Sequence, residues 1–146
     1  MRVGLGIYGL LDTVSGGYLY DRQLVRVLES TGDQVELVSM PMHDYSRSLL
    51  DNFSASLYRR LAGLQVDILL QDELNHPSLC YMNRRIIDSV DYPVISIVHH
   101  LRSSESHPEW LRRVYSTVEK SYLESVDGFI FNSENTRIAT QSLVGT

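Results

Sequence analysis

Apolar positions along this chain switch repeatedly between a spacing of two and a spacing of three to four, the marks of strand and of helix. Residues 3–8 read as a strand. A helix from about Tyr18 carries Tyr20, Leu24, Val27 and Leu28 inward, with Asp21, Arg22, Arg26 and Glu29 outward, and Gly32 ends it. Residues 35–39 form a second strand. Leu50, Phe53, Leu57 and Leu61 fall on one stripe of a single helix over 46–61. Residues 66–71 make a third strand, with Asp72 at or just past its carboxyl end.

Pro77 suits the first turn of a helix reaching about Ser89, burying Leu79, Met82 and Ile86, with Val90 near its end. The β-branched run 94–98 fits a central strand buried on both faces, and His99-His100 follow it directly. A polar loop over 101–107 leads to Pro108, which starts a helix with Leu111, Val114, Tyr115, Val118 and Tyr122 inward. Residues 128–131 form a short fifth strand, and Asn132 or Ser133 caps a final helix.

Strand and helix in strict alternation predict an α/β fold, a Rossmann-like doubly wound parallel sheet with helices on both faces, in a single domain over 1–146. Ligands of such sheets bind outside the carboxyl ends of the strands, near the point where strand order reverses. Gly16-Gly17, Asp72, His99-His100 and Asn132-Ser133-Glu134 are therefore expected along one edge.

Composition narrows the function. A formal charge of −5 argues against a nucleic-acid footprint. A single cysteine, Cys80, excludes an internal disulfide and fits a reducing cytoplasm; its apolar surroundings predict a buried, inert thiol. No apolar run approaches the roughly 20 residues needed to span a bilayer. The 46–61 stripe, flanked by Arg47, Arg59 and Arg60, fits a helix packed on the sheet or one making peripheral membrane contact. Asn52-Phe53-Ser54 matches a glycosylation sequon, which a cytoplasmic chain never uses.

Gly16-Gly17 opens the first helix, where unpaired N–H groups and the positive dipole end favour an anion such as phosphate. Gly4-Leu5-Gly6-Ile7-Tyr8-Gly9 matches a dinucleotide fingerprint but falls within the first strand, and the second strand ends without an acidic residue to hold a ribose. No phosphate-binding P-loop sequence and no Gly-x-Ser-x-Gly nucleophile elbow occur. The histidines lack metal-ligand spacing, so neither metal nor cofactor is expected. Of the adjacent His99 and His100, one should face the cleft.

With these residues in order, the chain resembles the amino-terminal, acceptor-side domain of a GT-B glycosyltransferase of the retaining family 4 type. Gly16-Gly17 resembles the family's Gly-Gly loop. Gly32-Asp33-Gln34-Val35 resembles its Gly-His-x-Val entry to the second strand, with Asp33 in place of His. The strand ending at His99 resembles the family strand that ends in a His, and Ser125 to Glu134 resembles its Ala-Asp-x-(apolar strand)-Ser-Glu element.

The resemblance implies transfer of a sugar from a nucleotide-sugar donor to an unknown acceptor, with retention and without a metal. It places Gly16 and Gly17 at the donor diphosphate and His99 beside the transferred sugar. Asp72, His100, Arg102, Ser133 and Glu134 are acceptor or cleft candidates by position. The family's nucleotide contacts lie on a carboxyl-terminal domain that this chain does not include. The chain alone is thus expected to hold half a site and to transfer little without that domain or a partner chain.

An alternative reading is a non-catalytic binding or regulatory module that keeps the fold and binds a sugar phosphate or a protein. A receiver-like domain fits less well: Asp12 stands alone after the first strand and Lys120 falls in the middle of a helix.

Overall fold

The computed structural model describes residues 1–12 and 16–145. Five parallel strands, β1 (Arg2–Tyr8), β2 (Gln34–Met40), β3 (Ile68–Asp72), β4 (Val94–Val98) and β5 (Gly128–Phe131), lie in the order β2-β1-β3-β4-β5. The crossover from β1 turns one way and every later crossover the other, so strand order reverses between β1 and β3. The fold is the expected α/β doubly wound, Rossmann-like sheet.

Strand alternation sorts the core into two layers. Val3, Leu5, Ile7, Leu70 and Ile97 face α1 (Gly16–Ser30), whose Leu24, Val25 and Leu28 pack on them. Val38, Met40, Leu69, Val94 and Val98 face the opposite layer. That layer is built from α2 (Tyr45–Leu50), α3 (Ala55–Ala62), α4 (His76–Leu79), α5 (Met82–Ile86) and α6 (Glu109–Leu123). The last helix, α7 (Glu134–Val144), begins after β5 with Ser133 Oγ accepting the Thr136 N–H. Among the described residues, no helix is long and apolar enough to cross a membrane.

Two helices expected as continuous are broken, for one shared reason. The 46–61 segment divides at Ser54, which is extended and caps α3 by accepting the Leu57 N–H at 3.1 Å. Leu57 and Leu61 pack inward, whereas Leu50 and Phe53 are exposed. The segment after Pro77 divides between Cys80 and Tyr81, where Asn52 replaces the helix's own bonds. The Asn52 Nδ2 donates to the Pro77 carbonyl at 2.7 Å, and its Oδ1 accepts the N–H groups of Tyr81 and Met82 at 2.9 and 3.0 Å. In an unbroken helix the Tyr81 N–H would bond the Pro77 carbonyl itself. Asn52 is 3% exposed, so the residue read as a sequon is an internal bracket joining the two breaks. Cys80 at this corner is half-buried, and burial raises its thiol pKa.

Four positions in α1 and α6 depart from the periodic reading. Tyr20, Val27 and Val114, expected inward, are exposed. Asp21, expected outward, has no exposed surface. The first turns of α1 lie over the strand tips, so a polar residue there is covered by the sheet edge instead of by water. Gly4 and Gly6 lie inside β1, away from any turn, which disposes of the dinucleotide fingerprint.

Candidate active site

The loops leaving β1 and β3 diverge at the reversal point and leave a crevice at the carboxyl edge. Gly17, near the start of α1, is half-buried at that crevice. A β-carbon placed on it would lie 3.6 Å from the His99 ring and 3.9 Å from Asp72 Oδ2. Three residues distant in sequence thus meet from α1, the end of β3 and the end of β4. Asp72 also caps the short 3-10 turn that follows β3, its Oδ1 accepting the Leu74 N–H at 2.9 Å.

Below them lies Asp21, one helical turn after Gly17 on the same face of α1. Its two carboxylate oxygens have no hydrogen-bond partner among the described residues, and Oδ1 lies 3.8 Å from His99 Nε2. Asp21 is the first cause of a raised His99 pKa, which burial opposes, so the imidazole favours its cationic form. Tyr20 packs edge-on to the His99 ring at 4.9 Å. Asp72 moves the other way from an ordinary carboxylate: burial, then repulsion from Asp21, raises its pKa. A fully buried carboxyl, an imidazole whose pKa is raised and a second carboxyl whose pKa is raised by burial stand together, a set suited to exchanging a proton.

A second buried group lies beside the first, among Glu73, His76 and Glu119. His76 Nδ1 faces two acceptors, the Glu73 carbonyl and Glu73 Oε1, each at 3.0 Å, and therefore carries the proton. Its Nε2 then accepts the Tyr45 hydroxyl at 2.9 Å. Burial lowers the His76 pKa to about 4 and raises that of Glu73 to about 8, so both are mainly neutral near pH 7. Glu119 holds the loop after β4, accepting the N–H groups of Arg102 and Ser103 at 2.5 and 3.1 Å.

The Arg102 guanidinium lies 5.1 Å from the Tyr45 ring and 4.7 Å from the Tyr115 ring. It lines a pocket of about 210 Å³ at the same edge, together with Tyr8, Tyr18 and Tyr45. A larger cavity of about 360 Å³ opens at the amino ends of the strands, around Arg2 and Asp67, away from these groups.

The remaining candidates stand apart from this cluster. His100 is mostly exposed, 3.7 Å from Glu105 across a surface pair. Ser133 serves as the α7 cap, and Glu134 pairs with Arg137 on the surface. Thr136 Oγ1 ties the start of α7 to the His99 carbonyl at 3.3 Å. Comparison with protein-family models, curated proteins and solved structures yielded no match.

Two sets of ligand-type atoms lie within 4.8 Å of one another among the described residues: Asp21 with Asp72 and His99, and Glu73 with His76 and Glu119. The first joins two carboxylates and an imidazole, a set a divalent cation could use after displacing their protons. The second is held by internal protons and backbone N–H groups. Sequence reading missed Asp21, Glu73, His76, Glu119 and Tyr45. Asp21 alone carried a signal, its spacing of one turn from Gly17.

Proposed function

We propose that this chain is the acceptor-side domain of a retaining glycosyltransferase that draws on a nucleotide sugar. The observation that carries the reading is the meeting of Gly17, Asp72 and His99 at one strand edge, with the Gly17 backbone against the imidazole. The N–H groups at the start of α1 and the imidazole of His99, when protonated, would stabilise the diphosphate as it leaves. The bond from the sugar's anomeric carbon to the phosphate oxygen breaks, a bond to the acceptor oxygen forms on the same face, and the acceptor's proton passes to the departing phosphate. The nucleotide would be held by a second domain or chain facing this edge. A reducing cytoplasm suits the free thiol.

The test is release of nucleoside diphosphate from a panel of nucleotide sugars, using the full gene product, with and without His99→Ala. Donor-dependent release that falls roughly 100-fold in the variant is expected, the scale of one lost charge-stabilising group. Release unchanged by the substitution, or absent with every donor, overturns the reading.

A further inference from the structure

The Arg102 pocket carries an assignment of its own. Tyr8, Tyr18, Tyr45, Met42 and Leu74 line it with the guanidinium. All three tyrosine hydroxyls are engaged within the protein. Tyr8 Oη pairs with Ser78 Oγ at 2.5 Å, Tyr18 Oη donates to the Tyr8 carbonyl at 2.5 Å, and Tyr45 Oη donates to His76. The tyrosines therefore offer the pocket ring surface, not hydroxyls.

Arg102 is the opposite case. No ion pair reaches its guanidinium, and its buried Nε–H has no acceptor among the described residues. The rings of Tyr45 and Tyr115 lie against it as cation–π partners, an arrangement that leaves the in-plane N–H donors for another group. A buried donor without a partner is costly, and a guanidinium fork matches a planar oxyanion in two hydrogen bonds.

We infer that this pocket binds the carboxylate of a flat aromatic acid, its ring stacked among the tyrosines and its carboxylate on Arg102. The volume of about 210 Å³ suits a subsite for one ring, not a whole large ligand. Leu74 joins the pocket to the site above: its side chain lines the wall and its N–H binds Asp72. A hydroxyl on the ring would give the acceptor oxygen of the proposed transfer, so this identification of the acceptor rests on the transferase reading. The binding itself does not.

The experiment is calorimetric titration of the 146-residue chain with 4-hydroxybenzoate, its neutral analogue 4-hydroxybenzamide, and phenyl phosphate. The acid is expected to bind roughly tenfold or more tighter than the amide, and Arg102→Gln to erase that preference while leaving the amide's affinity in place. The acid–amide comparison needs only the native chain and stands even if the variant folds poorly. Equal affinities for acid and amide, no binding of the acid, or a folded Arg102→Gln chain that keeps the preference would overturn the assignment. Tighter binding of phenyl phosphate than of the acid would overturn the carboxylate class. The titration contains no sugar donor and is independent of the nucleotide-release test: acid binding here with no release in that test removes only the transferase reading, and release in that test without acid binding here removes only the assignment of this pocket.

Discussion

His99 Nε2 faces Asp21 Oδ1 at 3.8 Å, and Asp21 has no exposed surface. Asp21 is the largest influence raising the His99 pKa, so it favours a proton on that imidazole. Asp21→Asn should therefore lower the His99 pKa, followed by NMR titration of the ring protons. The linked stability has a definite sign. A raised folded pKa contributes fully below the unfolded value, and the contribution is lost as pH rises through the folded one. An unshifted midpoint in the variant would show that Asp21 does not set the charge of His99.

Glu73, Asp72 and Glu119 have pKa values raised by burial, so the folded chain holds protons that the unfolded chain has released. Stability from these groups falls as pH rises above the ordinary carboxylate range and through about 8, the folded value of Glu73. His76, lowered to about 4, acts oppositely, but only below its unfolded value near 6.5. Between pH 6.5 and 8.5 the losses stand alone, and the melting temperature should fall by roughly 5 °C or more. Glu73→Gln should flatten that decline. Thermal melts of both chains across this range decide the point, and a native curve that rises with pH contradicts the assignment.

Gly17→Ala separates a structural glycine from a functional one. The added methyl meets His99 and Asp72 only at ordinary contact distances of 3.6 and 3.9 Å, in a helical turn. Folding stability should hold or rise by about 0.4–1 kcal/mol, as for a compatible glycine replacement. The methyl nevertheless occupies the ground over the imidazole, so nucleotide release by the full gene product should drop sharply. Full activity in a stable variant would mean that no ligand approaches the backbone there.

Asn52→Ala should be among the more damaging substitutions outside the site. It leaves the Tyr81 and Met82 N–H groups and the Pro77 carbonyl without their side-chain partner in a buried corner. A loss of about 2–4 kcal/mol in urea unfolding is expected from several unsatisfied groups. A loss below about 0.5 kcal/mol would show that the helix simply closes over the break.

The strands were legible because their apolar runs are short, β-branched and bounded by turns, as 94–98 is. The convergence of Gly17, Asp72 and His99 was legible for a different reason: parallel topology brings every strand's carboxyl end to one edge. Helix continuity was not legible, since the amide that breaks the helix after Pro77 is Asn52, some 25 residues earlier. Nor was the burial of Asp21. Periodicity assigns a charged residue to water, and only the position of α1 over the strand tips reverses that. Glu73 and His76 gave no signal because their roles depend on Tyr45 and Glu119, contributed by separate helices.

The grip of Glu119 on the amides of Arg102 and Ser103 has a mechanical consequence. The loop backbone that carries the arginine is tied to the carboxyl-terminal half of α6, whose opposite end presents the exposed Trp110. A displacement of α6 would therefore carry the backbone at 102–103 with it and change the setting from which the guanidinium reaches the pocket.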